Sequence, residues 1–157
     1  MANKEFKFLK TVYLGDLNIF GTAYFACFFI WQGMAREAFF KDVVKDYNKF
    51  MKKRIKLITI EASMKFKGTA KLYNDIEITI KPSEITLTTV DLVFIYLNKT
   101  TNAIIGEGRE KIGFTDLRDN VIPLPEEIIN GGMDYLDDNW KKKIFEIYNK
   151  IKIINKR

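Results

Sequence analysis

Histidine is absent from all 157 residues, and its absence excludes more chemistry than any single motif supplies. Without an imidazole there is no Ser-His-Asp or Cys-His machinery and no His-ligated zinc. Cys27 is the one cysteine, so an intrachain disulfide and a Cys-rich metal site are both excluded. No metal and no cofactor is expected. Any catalysis must use carboxylates, amides, hydroxyls, Lys or Arg side chains, or backbone dipoles. Long hydrophobic runs are missing as well. The uncharged stretch from Leu17 to Gln32 is interrupted by Gly21 and falls short of the roughly 20 residues that a membrane span needs. No basic segment leads into a short apolar one, so no signal peptide is expected. With one cysteine, a cytoplasmic address fits.

Acidic residues are outnumbered, leaving a net charge of +6, and 21 of the 26 basic residues are lysine. Such a balance suits an anionic partner, although lysines scattered along the chain also fit a merely compositional bias. The same scatter, with no recognised motif, argues against nucleic-acid binding.

The apolar and charged fractions, 47% and 29%, are those of one globular domain with a real core. Phe6 to Gly15 reads as a first strand. Tyr24 to Lys52 reads as one long helix, with Phe28, Trp31, Ala35, Ala38, Phe39 and Val43 on a common stripe. Its first half is apolar nearly all round, as a helix enclosed by a curved sheet must be. The period then switches to two. Ile58, Ile60, Ala62, Met64 and Phe66 alternate with polar residues as a half-buried strand. Ile76, Ile78 and Ile80 follow in the same way, and Pro82-Ser83 marks a turn. Ile85 to Leu97 and Ala103 to Phe114 are two more strands around a hairpin loop at Asn98 to Asn102. This predicts an α+β fold whose antiparallel sheet of about five strands is covered by the long helix. After Leu124-Pro125-Glu126-Glu127-Ile128, Gly131-Gly132 is expected to break the chain. Trp140, Ile144, Ile147, Tyr148, Ile151 and Ile154 then share one face of a last helix. Residues 1–129 are therefore expected to form the main domain and 130–157 a helical appendage packed on it. The appendage can serve as a cover for an oligomer surface or as a lid on its own sheet edge.

Gly15-Asp16-Leu17-Asn18-Ile19-Phe20-Gly21-Thr22-Ala23-Tyr24-Phe25 is a short extended segment that turns on a glycine and opens into the apolar helix. It resembles the active-site segment of hotdog-fold acyl thioesterases of the 4-hydroxybenzoyl-CoA thioesterase type. Trp31-Gln32-Gly33 followed by Arg36-Glu37 is similar to the enediyne polyketide branch. Glu61 to Phe66, Asp75 to Ile78, Gly106-Glu107-Gly108-Arg109 and Leu124 to Ile128 match further family elements in order. The resemblance covers Phe6 to Ile129.

It implies a thioester hydrolase acting on an acyl or β-keto polyketide chain carried by coenzyme A or an acyl carrier protein. It also implies a homo-oligomer, preferably a tetramer built as a dimer of dimers, with residues 66–72 of one subunit near Asn18 of another. The thioester oxygen would face the backbone N–H groups of Tyr24 and Phe25 at the helix N-terminus. Gly21 would allow close backbone approach. Asn18 occupies the place of the family carboxylate, and an amide can orient water but not deprotonate it. It also reads as a turn or cap residue. Arg36 would hold a second substrate oxygen, or else pair with a carboxylate such as Asp16 or Glu61, neighbouring Glu37 pointing elsewhere. Asp16 and Glu61 are reserve bases. Phe20, Phe28, Phe29, Met64 and Phe66 would line an apolar tunnel, or simply pack as core. A non-catalytic acyl-binding or regulatory protein of the same fold is the alternative function.

Overall fold

The computed structural model describes residues 4–154. Strand β1 (Phe6–Thr11) is followed by a single 3-10 turn over Leu14–Asp16, helix α1 (Phe25–Val43) and the short helix α2 (Tyr47–Met51). Strands β2 (Lys56–Phe66), β3 (Asp75–Ile85), β4 (Thr89–Asn98), β5 (Ala103–Thr115) and β6 (Val121–Ile122) come next, then α3 (Glu126–Gly132) and α4 (Asp138–Ile154). The sheet is antiparallel in the order β1-β3-β4-β5-β2, with β6 beside β5. This is the hotdog arrangement.

Two periodicities build the core. Ile76, Ile78 and Ile80 on β3, and Leu92, Phe94 and Tyr96 on β4, are buried at every second position. Helix α1 buries Phe28, Trp31, Ala35 and Phe39 in the same cluster, the lid that the alternating strands require. No described helix is long and apolar enough to cross a membrane.

Several boundaries differ from the sequence expectation. The expected first strand stops at Thr11, because Leu14–Asp16 turns. The expected helix over 24–52 is two helices. Val44 leaves helical geometry, and the Asp46 side chain caps α2 by accepting from the Lys49 N–H at 2.9 Å. Pro82-Ser83 is a bulge inside β3 rather than a turn, since proline can offer no ladder donor. The turn comes at Thr86, whose hydroxyl accepts from the N–H groups of Thr88 and Thr89, so the expected strand from Ile85 starts at Thr89.

Strand β2 is an edge and is not half-buried: Ile60 is 52% and Phe66 49% exposed. A bulge at Ile60 adds to its irregularity.

Gly131-Gly132 does not break the chain. Both residues close α3, and a Cβ at Gly131 would stand 1.8 Å from the carbonyl oxygen of Val43. The glycine is there because α3 crosses against the end of α1. Beyond it, Tyr135, Leu136, Ile144 and Ile151 are buried in the one core cluster that also holds Phe39 and Val43. The Tyr135 hydroxyl donates to Asp42 at the end of α1. The C-terminal segment thus packs on its own subunit, while Ile154 stays 47% exposed.

Candidate active site

The segment entering α1 is held by two side chains. Asp16 Oδ2 accepts from Lys10 Nζ and from the Tyr13 N–H, each at 2.8 Å, and Oδ1 accepts from Trp31 Nε1 at 3.2 Å. Burial pushes the Asp16 carboxyl up, but Lys10, the Tyr13 N–H and Trp31 together outweigh it and hold the group below the usual carboxylate range. Asp16 is therefore a structural anion that binds strand end to helix, a poor candidate for a base near neutrality. Its own carbonyl accepts the Tyr24 N–H at 2.8 Å.

Asn18 closes the next turn. Its Oδ1 accepts from the N–H groups of Phe20 at 2.9 Å and Thr22 at 3.3 Å, and Nδ2 donates to Thr22 Oγ1 at 3.1 Å. Gly21 sits at φ +75° and donates its N–H to the Asn18 carbonyl at 3.1 Å. That backbone geometry favours glycine. The Ala23 N–H then reaches the Ala70 carbonyl at 2.8 Å, which brings residues 66–70 of the same subunit against the turn.

At the start of α1 the Tyr24 N–H is already taken by Asp16, so Tyr24 cannot serve as the expected donor. The N–H groups of Phe25 and Ala26 have no partner among the described residues, whereas that of Cys27 turns back to the Tyr24 carbonyl at 2.9 Å. Two adjacent free donors at a helix N-terminus make an anion-stabilising position. Phe25, the first of them, lines a cleft of about 630 Å³ together with Leu17, Asn18, Phe20, Tyr24, Phe28, Phe66, Gly68 and Thr69. Phe66 meets Phe28 edge-on at 5.3 Å and Phe25 at 6.4 Å, forming an aromatic wall.

The other expected residues lie elsewhere. Phe29 is 38% exposed and outside the cleft. Met64 packs near Gly106 and Gly108 on β5. Glu61 belongs to the opposite sheet face, in a groove with Ser63, Asp91 and Lys111, because β2 alternates and Met64 points inward.

Arg36 lies 11 residues beyond Phe25, about 16 Å along the helix axis, and its ion-pair partner is neither Asp16 nor Glu61. Its Nη1 donates to Glu110 and to Thr59 Oγ1 at 2.7 Å, and Nη2 to Glu37 at 3.1 Å. The expectation that Glu37 points away is thus corrected. The Arg36 Nε is buried without a hydrogen-bond partner.

Sequence reading missed Glu110, Gln32 and Tyr96. Glu110 is a buried carboxylate on the inward face of β5, in alternation with Gly106, Gly108, Ile112 and Phe114. One charge among inward positions was the signal. Tyr96 donates its hydroxyl to the Phe28 carbonyl at 3.0 Å and lies 3.3 Å from Gln32 Oε1. Burial, then the charge of Glu110, raises the Tyr96 hydroxyl well above its ordinary range. Among the described residues no group of His, Cys, Asp and Glu is placed to hold a metal ion.

An antiparallel sheet wrapped on a long, largely apolar helix is the hotdog class of fold. The chain belongs to the Thioesterase-like superfamily, matched over residues 12–131, and is a thioester hydrolase by class. Among solved structures it is similar to the dynemicin thioesterase, with a TM-score of 0.78 and 18% identity over 84% of this chain and 97% of that one. It is also similar to a 1,4-dihydroxy-2-naphthoyl-CoA thioesterase from Synechocystis, with a TM-score of 0.74 and 16% identity over 83% and 97%. A Staphylococcus aureus protein solved in complex with CoA gives a TM-score of 0.80 and 12% identity over 86% and 85%. No curated protein matches the sequence significantly.

Proposed function

We propose that this chain cleaves an acyl thioester carried on coenzyme A or an acyl carrier protein. The thioester oxygen sits on the N–H groups of Phe25 and Ala26, and the acyl chain lies on Phe20, Phe28 and Phe66. The observation carrying this reading is that donor pair, left free beside an apolar cleft. Water adds to the acyl carbon, negative charge collects on the oxygen over the helix N-terminus, and the C–S bond breaks. The acid product keeps the water oxygen, and the thiolate takes up a proton on release. Asn18 holds the turn and orients the water; among the described residues no carboxylate lines the cleft to deprotonate it.

The Trp31 to Glu37 resemblance, together with the likeness to the dynemicin enzyme, favours a β-keto polyketide chain on a carrier protein. Axial distance separates Arg36 from the thioester, and Glu110, Thr59 and Glu37 engage its guanidinium, so Arg36 does not hold the β-oxygen. The working form is a homo-oligomer, a dimer of dimers, as the exposed Phe25, Phe29, Ile60 and Phe66 suggest.

Thiol release from a panel of acyl-CoA and acyl-carrier substrates tests the reading. Cleavage of long-chain or β-keto thioesters supports it, and saturable binding without thiol release sinks it. A second reading, a non-catalytic acyl binder, is favoured by one observation: the Asn18 amide is already engaged in its own turn. That same assay decides between them.

A further inference from the structure

On the inward face of β4, Leu92 and Phe94 are apolar, and Tyr96 alone carries a hydroxyl, fully buried. A phenylalanine would fill the same ring volume, and a buried hydroxyl costs free energy unless it is bonded. Here it is bonded, to the Phe28 carbonyl at 3.0 Å, with Gln32 Oε1 3.3 Å away. Phe28 is the fourth residue of α1, about 4.5 Å along the axis from Phe25. A helical carbonyl at that position already receives the N–H of residue 32. The Tyr96 hydroxyl therefore takes the second lone pair, tethering the turn to the sheet without being needed to close it.

The other polar ties at this end come from the chain entering α1. The Asp16 carbonyl takes the Tyr24 N–H, Asp16 Oδ1 takes Trp31 Nε1, and the Ala23 N–H reaches Ala70. From the sheet, only Tyr96 among the described residues bonds the backbone of the first turn. The rings of Phe28 and Tyr96 also pack, with centroids 5.6 Å apart, but apolar packing has no direction. A hydrogen bond weakens steeply with angle, so the hydroxyl sets the rotation and axial position of the turn. Position is what a catalytic donor needs. An oxyanion donor works at about 2.7–3.1 Å from its oxygen, and a misplacement of about 1 Å can cost roughly 100-fold in rate.

We propose that Tyr96 is a positioning residue, its hydroxyl fixing the first turn of α1 so that the Phe25 and Ala26 N–H groups meet the thioester oxygen. The proposal rests on the hydrolase reading above and adds to it a residue on the sheet side of the helix. Burial and the Glu110 charge keep the hydroxyl protonated, so it stays a donor and carries no proton to substrate.

Tyr96→Phe deletes one oxygen and keeps the ring. With dodecanoyl-CoA as probe, kcat should fall about 10- to 100-fold while KM stays within roughly threefold, because only the oxyanion loses alignment. Ile144→Val is the control. Ile144 lines the core with Phe39 and Val43 at the other end of α1, so this change should lower stability and leave kcat unchanged. The second readout needs no turnover. In a helix the Phe29 and Ile30 N–H groups bond the carbonyls of Phe25 and Ala26, so their hydrogen exchange reports fraying of the first turn. That exchange should quicken about fivefold or more in Tyr96→Phe, the weight of one hydrogen bond, and should not in Ile144→Val. Circular dichroism confirms that both variants are folded. Unchanged exchange in Tyr96→Phe, equal quickening in both variants, or a kcat loss no larger than that of Ile144→Val overturns the proposal. A protein that shows the exchange difference yet cleaves no thioester would uphold the tether and remove the hydrolase reading.

Discussion

Gln32 and Gly108 occupy one volume: a Cβ at residue 108 would stand 2.0 Å from Gln32 Oε1. The buried amide lies on bare backbone of β5, and its Nε2 reaches the Arg109 carbonyl at 3.4 Å. Together with Phe28 over Gly106, it fills the space between helix and strand directly behind the cleft. Gly108→Ala should therefore cost about 1–3 kcal/mol by overpacking, read as a lower urea midpoint. In a Gln32→Ala background the same change should cost much less. Equal costs in both backgrounds would show that the two residues do not compete for this space.

A second buried relationship joins Arg36 to Glu110, with side chains 17% and 4% exposed. Removing one member strands the other charge. Arg36→Met should lower stability by about 3–5 kcal/mol, whereas Arg36→Met with Glu110→Leu should recover most of the loss. Urea unfolding of wild type and the two variants checks this. If Arg36→Met unfolds like wild type but loses activity, Arg36 serves substrate and not Glu110.

Repeating patterns were what the amino-acid order made legible. The 3.6 period of Phe28, Trp31, Ala35 and Phe39 and the alternations on β3 and β4 announce a helix over a sheet, because burial writes itself into spacing. Alternation on β2 names a face without telling whether anything covers it, so Ile60 and Phe66 looked half-buried. Helix α1 ends at Val43 although the apolar pattern runs on to buried Phe50; the break at Val44 and the Asp46 cap that starts α2 show only once the backbone is placed. The same holds at the site. That Tyr24 spends its N–H on Asp16 is a backbone fact with no side-chain signature. Glu110 did leave a trace, as the one charge on an inward-facing run.

Asp16 gives a pH test. Its carboxyl is held below the ordinary range in the fold, so it adds stability at pH values above the unfolded value of about 3.9. That stability disappears as pH falls through the lower folded value. Asp16→Asn should consequently lose about 1–3 kcal/mol at pH 7, and the gap to wild type should close in acid, below about pH 4. Thermal melts of both proteins across pH 2–8 measure it. A gap that persists undiminished at the acid end would mean that the Asp16 charge contributes nothing.

Asn18 decides between turn and chemistry. Asn18→Ala removes the acceptor for the Phe20 and Thr22 N–H groups along with the oriented amide, and should slow thiol release about 10- to 1000-fold. Asn18→Asp is the sharper variant. A carboxylate keeps both N–H acceptances, and the Thr22 hydroxyl can turn to donate, so the turn around Gly21 survives. The new group can also accept a proton from water, which the amide cannot. Wild type should then show a rate that rises with hydroxide and has no acidic limb, whereas Asn18→Asp should acquire one. Two N–H donors favour the charged form, so that limb should lie at or below about pH 4. A wild-type acidic limb that vanishes in Asp16→Asn would instead make Asp16 the base. Full activity in Asn18→Ala would leave the helix N-terminus as the sole catalytic element and Asn18 as a turn residue alone.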